Sequence, residues 1–250
     1  MTRFDKLASY LAAIRYRLII PFIALASISV SGSGYERVAG FERTYTPRGP
    51  AHLVISNVSG SIFVRAWNKK TINVRASGPS SGSVEDRVVR DEISITVRRD
   101  LRLDRVDFDV SVPSDTSLSL RNVMGKIEIQ GVHGYLSVNS FDSDVRLVGT
   151  RSRSVDVKVT SGDVYFDGEL QNDGSYTLQS IRGDIDVIIP SASSFSLSAR
   201  AMSENINLGD FLTSLGGITR WAKGISGTHQ KGGPKLNLTT YAGRILLHKK

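Results

Sequence analysis

The amino-acid sequence predicts an all-β protein, a single-stranded β-solenoid (β-helix) of repeated strand–corner–strand units with about 18–21 residues per turn. Three observations carry that expectation. After residue 50 the chain alternates apolar and polar residues almost throughout, with turn residues between, as half-buried strands do. A 12-residue segment recurs seven times without a gap. Five successive corners fall at 125, 143, 162, 183 and 204, in steps of 18, 19, 21 and 21 residues. Near-constant steps of that size mean one supersecondary unit per step, stacked on its neighbours.

The chain begins with a segment of another kind. Arg15 and Arg17 precede Leu18–Val30, a 13-residue run without a charge. A secretory apolar region needs about 7–15 residues and a membrane-spanning helix about 20. Ala24 and Ala26 fit an A-x-A cleavage pattern, Ser29 and Ser31 form a second candidate pair, and Pro21 weakens a long rigid span. Residues 1–34 are therefore expected to be a signal peptide or N-terminal anchor, and residues 35–250 the solenoid domain. The protein is expected in the periplasm or at the cell surface, or held in the inner membrane by residues 18–30.

The first repeat unit is LVISNVSGSIFV at 53–64. LSLRNVMGKIEI (118–129), LSVNSFDSDVRL (136–147), VDVKVTSGDVYF (155–166), YTLQSIRGDIDV (176–187), LSARAMSENINL (197–208) and LNLTTYAGRILL (236–247) follow. The corner is Gly60, Gly125, Ser143, Gly162, Gly183, Glu204 and Gly243 in turn. Glycine suits positive φ or a close backbone approach there, and Ser143 and Glu204 show that some corners accept a side chain. Apolar residues stand seven, five and two places before the corner and two and four places after it, and this set is expected to supply the core. One inward ladder should run Ile127, Val145, Val164, Ile185, Ile206, and another Leu120, Val138, Val157, Leu178, Ala199. Layers of parallel strands stack about 4.8 Å apart.

Two long steps hold extra material. Between corners 60 and 125, residues 71–75, 93–97 and 106–112 read as further strands, and Ser77–Asp86 as a polar loop. Residues 209–234, with seven Gly and one Pro among Phe211, Leu212, Leu215 and Trp221, read as an irregular insert packed near the C-terminal end of the solenoid.

Composition narrows the chemistry. No cysteine is present, so disulfides, thiolate zinc sites and a Cys nucleophile are excluded. His52, His133, His229 and His248 share no short spacing. The net charge is +8, and residues 35–250 hold 28 bases and 23 acids, a mixed surface without the dense basic run of a nucleic-acid footprint.

The run VDFDVSVPSDTSLSLRNVMGKIEIQG (106–131), the corners SGDV (161–164) and RGDI (182–185), and the ending GGPKLNLTTYAGRILL (232–247) resemble the bacterial exported "putative adhesin" family. The resemblance spans about residues 50–250. It implies a β-solenoid domain of unknown function, with envelope adhesion suggested by the family name and no catalytic or ligand residues to carry over.

Several residues invite a chemical reading. Asp144, Asp163 and Asp184 each follow a corner and would stack as a carboxylate ladder, between Lys126 and Asn205, in which a cation could sit. The plainer role for Asp at a tight corner is to accept nearby backbone N–H groups. Asp107/Asp109 and Asp184/Asp186 lie at i, i+2 and share an outward face. Arg146, Arg151, Arg153 and Lys158 could meet an anionic polysaccharide or lipid head group, or form a solvated edge that deters sheet association. Trp67 and Trp221 could stack on sugars or serve packing. Gly216-Gly217 and Gly232-Gly233 lack the Lys-Ser/Thr of a phosphate loop, and no G-x-S-x-G elbow occurs.

These features lead to the expectation of a non-enzymatic exported envelope protein, an adhesin or binding scaffold. No catalytic residue, cofactor or metal is assigned. The partner would be an envelope protein or polysaccharide and not nucleic acid, with membrane contact only through an uncleaved N-terminal segment. The alternatives are a solenoid polysaccharide-active enzyme and an accessory protein in envelope-stress signalling.

Overall fold

The structure, a computed structural model, describes residues 39–98 and 105–250. The expected export segment and its apolar run 18–30 lie outside the described residues. Among the described residues the chain is nearly all strand. In order these are β1 (Ala39–Tyr45), β2 (His52–Ser59), β3 (Ile62–Trp67), β4 (Ile72–Ser77), β5 (Val84–Val89), β6 (Glu92–Val97) and β7 (Asp107–Pro113). Then come β8 (Ser117–Gln130), β9 (Leu136–Thr150), β10 (Ser154–Ser161), β11 (Val164–Gly168), β12 (Ser175–Arg182) and β13 (Ile185–Ile189). The chain ends with β14 (Phe195–Ala201), β15 (Ile206–Asn207), β16 (Leu215–Trp221), β17 (Gly224–His229), β18 (Lys235–Ala242) and β19 (Ile245–Lys249).

Each repeat gives one strand to each of two walls. The first wall runs β6, β2, first half of β8, first half of β9, β10, β12, β18, β14, all parallel. The second runs β7, β3, second half of β8, second half of β9, β11, β13, β19, β15, again parallel. Alternation places Leu53, Ile55, Ile62 and Val64, and their counterparts in every repeat, on the inner side, where most are fully buried in one continuous core. The sequence therefore encodes a β-solenoid through period-two rows, as expected.

Val164 pairs with Val145 on one side and Ile185 on the other, as the register predicts. The order of layers departs from chain order near the end. Ile185 meets Ile245, and Ile245 meets Ile206, so the last unit lies between the units of 176–187 and 197–208. The second ladder likewise runs Leu178, Leu238, Ala199. At the other end Phe108 stacks outside Ile62, and Ile93 outside Leu53, so the first repeat is not the terminal layer. All units carry the same rows, so any unit can complete any layer. The connection after β13 skips one slot, and the C-terminal unit fills it.

Residues 209–234 are more ordered than expected. A 3-10 turn at Gly209–Ser214 leads into β16 and β17, an antiparallel hairpin laid on the outer edge of β14. Phe211, Phe195 and His229 pack ring on ring beneath it. At the opposite end β5 pairs antiparallel with β6, and β4 and β1 extend the β7 edge in the same antiparallel manner. Antiparallel ribbons thus close a parallel stack at both ends, covering edges that would otherwise template further pairing.

The row two places before the corner also departs from expectation. Val123, Phe141, Ile181 and Tyr241 are exposed, not buried. The strand continues without reversal to the corner, so parity sends the position three before it inward and the position two before it outward.

Candidate functional site

The corner is the most specialised local structure in the repeat. At Gly60, Gly125, Gly162, Gly183 and Gly243 an added Cβ would lie 2.0–2.3 Å from the corner carbonyl oxygen of the layer before: Val106, Gly60, Ser143, Gly162 and Gly183 respectively. Only a residue without Cβ lets the layers approach so closely, and the first four also have positive φ. Ser143 sits at its corner without positive φ and turns its buried hydroxyl inward, where it meets Ser140 Oγ at 2.5 Å. Glu204 takes positive φ and pairs with Lys223 at 2.5 Å, which holds its carboxyl below the usual range.

The corner carbonyls point toward the next layer and need donors, because a buried unpaired carbonyl is costly. The inward row three places before the corner supplies them. Asn57 Nδ2 donates to Val106 O at 3.0 Å, Asn122 Nδ2 to Gly60 O at 3.0 Å, Ser180 Oγ to Gly162 O at 2.9 Å and Thr240 Oγ1 to Gly183 O at 2.9 Å. This buried polar ladder escaped the sequence reading, although its residues (Asn57, Asn122, Ser140, Ser180, Thr240) stand in one column of the seven-fold alignment.

The aspartates complete the corner from outside. Asp163 N donates to Asp144 Oδ1 at 3.0 Å, Asp184 N to Asp163 Oδ1 at 2.8 Å and Arg244 N to Asp184 Oδ1 at 2.8 Å. Ser61 N donates to Asp107 Oδ1 in the same way at 2.8 Å. Each carboxylate therefore accepts a backbone N–H one layer away. Arg244, not Asn205, lies beyond Asp184, because the last unit is interposed. Its guanidinium binds Asp184 Oδ2 through Nε at 3.0 Å and Nη2 at 2.5 Å, which holds the Asp184 carboxyl below the ordinary carboxylate range. The ladder is a backbone-capping device, and among the described residues no three His, Asp or Glu side chains converge as a metal set.

The remaining singled-out residues are scattered. Arg146 lies over the Tyr165 ring at 4.0 Å on the second wall, whereas Lys158 pairs with Asp156 at 2.9 Å on the first. Arg151 pairs with Glu169, and Asp109 with Arg65. Asp107 takes Arg105, and Asp186 lies 3.5 Å from His248. Trp67 Nε1 donates to Thr71 O at 2.7 Å and packs locally. Trp221 is exposed and borders a depression of about 430 Å³ with Leu212, Arg220 and Lys223 at the C-terminal end. A second depression of about 410 Å³ lies over the corners, bordered by Arg105, Lys126, Asp142 and Asp144. Both are open surface basins.

The family comparison matches residues 52–247, from the start of β2 into β19, to Toastrack DUF4097. The chain belongs to this Toastrack family. The match covers every repeat unit, the antiparallel ribbon between β3 and β8, and the β16–β17 hairpin. Two solved structures are similar. One is a "putative cell adhesion protein" from Clostridium sporogenes ATCC 15579, 13% identical, with a TM-score of 0.47 over 84% of this chain and 99% of that one. The other is a "putative adhesin" from Bacteroides fragilis NCTC 9343, 11% identical, with a TM-score of 0.37 over 84% of this chain and 96% of that one. No curated protein matches. In this Toastrack domain small polar residues, bases and the exposed apolar row lie side by side on the outer side of the first wall.

Proposed function

We propose that the protein is a non-enzymatic binding scaffold of the adhesin type, exported to the cell envelope, with residues 1–34 as signal or anchor and residues 35–250 as the working domain. The observation that carries this reading is the use of the corner carboxylates. Asp144, Asp163 and Asp184, the residues best placed to act as acids or bases, each hold a backbone N–H of the next layer. These carboxylates serve the stacking of the layers. What the repeat does offer is a long rigid surface, with a new layer about every 4.8 Å.

The test pairs two measurements. Purified full-length protein is screened for turnover on polysaccharide and ester panels, and for binding to isolated envelope fractions. Saturable binding without turnover supports the scaffold. Reproducible turnover, lost on substitution of one Asp, Glu or His, overturns it in favour of a polysaccharide-active enzyme.

A further inference from the structure

We infer that the exposed apolar row of the first wall is a membrane-contact stripe, which lays the solenoid side-on against an anionic lipid surface. This rests on the scaffold reading and names its surface and partner. In spatial order the row is Val58, Val123, Phe141, Thr160, Ile181, Tyr241 and Met202. Phe141 is 58% exposed, Tyr241 53%, Ile181 43% and Val123 37%, and Met124 beside Val123 adds 40%. At about 4.8 Å per layer the stripe is roughly 29 Å long. Core packing does not explain it, because every one of these side chains points away from the core.

The charge beside the stripe identifies the occupant. The outward rows at four places and one place before the corner flank it, and they hold Arg121, Lys158, Arg182 and Arg200 against the single acid Asp142. Among the described residues Arg121, Arg182 and Arg200 have no carboxylate partner, while Lys158 is held by Asp156. The second wall differs: Asp144, Asp163, Asp167, Asp184 and Asp186 face outward there among the bases Lys126, Arg146, Arg244 and Lys250. A narrow ridge that is apolar except at Thr160 and carries Phe141, Ile181 and Tyr241, bordered by bases on a face poor in acids, is the arrangement by which interfacial elements bury apolar side chains at the headgroup boundary and hold anionic headgroups with Arg and Lys. A second copy of this chain lacks a matching apolar row on its second wall, where Phe63 and Tyr165 are covered by Arg65 and Arg146. Membrane contact would then come from the folded domain itself, beyond the sequence expectation that confined it to the N-terminal segment.

The test exploits the absence of cysteine. Full-length protein carrying Thr160→Cys, labelled with an environment-sensitive dye, reports from within the stripe, and Leu246→Cys reports from the other wall. With vesicles of phosphatidylglycerol and phosphatidylcholine the Thr160 dye should brighten at least threefold and shift to the blue, while the Leu246 dye stays unchanged. Phe141→Ser/Ile181→Ser/Tyr241→Ser in the labelled chain should abolish the response. Arg121→Gln/Arg182→Gln/Arg200→Gln should weaken vesicle affinity at least tenfold, and raised salt should act likewise. Co-sedimentation with vesicles while the Thr160 dye stays aqueous would overturn the stripe and leave residues 18–30 as the anchor. Brightening that grows with protein concentration in the absence of vesicles would assign the row to a second copy. An equal response on pure phosphatidylcholine would remove the role of the bases. Failure on vesicles with retained binding to an envelope polysaccharide would remove the lipid assignment alone and leave the scaffold reading standing.

Discussion

Ile185 pairs in parallel with Ile245, and Ile245 in turn separates Ile185 from Ile206. β18 and β19, the last two strands described, thus form an interior layer. The unit before them, with its β16–β17 hairpin, forms the end of the stack and has no neighbour on the solenoid side until β18 and β19 arrive.

Removal of residues 235–250 should therefore release more than the tail. Without β18, β14 loses its parallel partner, and β12 and β13 gain an exposed edge. Hydrogen exchange of the truncated chain should show protection lost across β14 to β17 and retained in β8 to β11. Retained protection in β14 would mean that it can dock directly on β12.

Substitution at adjacent residues tests the register. Val164 is buried between Val145 and Ile185, so Val164→Asp places an unpartnered carboxylate in an apolar ladder and should cost about 3 kcal/mol or more. Tyr165 points outward, stacked under the Arg146 guanidinium, so Tyr165→Asp should cost under about 1 kcal/mol. Thermal melts of the two variants decide it, and equal losses would contradict the alternation.

The corner predicts a sharp contrast between two glycines. A Cβ at Gly125 would lie 2.1 Å from Gly60 O, at a φ of +135°, so Gly125→Ala should destabilise by about 2 kcal/mol or more. Gly82 has open space around it, and Gly82→Ala should stay within about 0.5 kcal/mol of wild type by denaturant titration.

The polar ladder is tested at Asn122. Its Nδ2 donates to both Gly60 O and Met124 O; Met124 O keeps the Gly60 N–H, so Asn122→Ala strands the Gly60 carbonyl at a closed corner. The expected loss is about 1–3 kcal/mol. Asn122→Ser should lose less, since Ser180 meets the corner carbonyl from the equivalent position. An indifferent Asn122→Ala variant would show that the corner carbonyls find other donors.

Asp184 gives the fold an acid-sensitive contact. Its carboxyl is lowered chiefly by the Arg244 guanidinium, with the Arg244 backbone N–H assisting and burial opposing. A carboxylate lowered in the folded state stabilises above its unfolded value, near 3.9, and loses that contribution as pH falls through the folded value. Asp184→Asn should therefore melt lower than wild type at pH 7, by the equivalent of about 1 kcal/mol, with the gap closing below about pH 4. A gap that does not narrow as pH falls below about 4 would assign the contact to packing instead of charge.

Much of this architecture was legible in one dimension. Leu53, Ile55, Ile62 and Val64 announce two inward rows, the recurring Gly marks the corner, and seven aligned units set the register. Period-two alternation and the need for glycine at a close approach are local constraints, and they act on residues near one another in the chain. The Asp at the corner was also correctly read as an acceptor for backbone N–H, although the N–H belongs to the next layer and not to its own turn.

Two features depended on the assembled molecule. Phe141 and Tyr241 are apolar and their column reads as core, but where the strand reverses decides which side they take, and that reversal occurs at the corner itself. Layer order was likewise undetermined, because every repeat presents the same rows and hydrogen-bonding edges, so a sequence match between units says that they can stack but not which pairs do. The sequence by itself determined the repeat, its register and the chemistry of each row. The tertiary structure alone decided that β18 and β19 enter between earlier strands and that one apolar row faces outward, because both follow from which edges the connecting segments leave open and where the backbone turns.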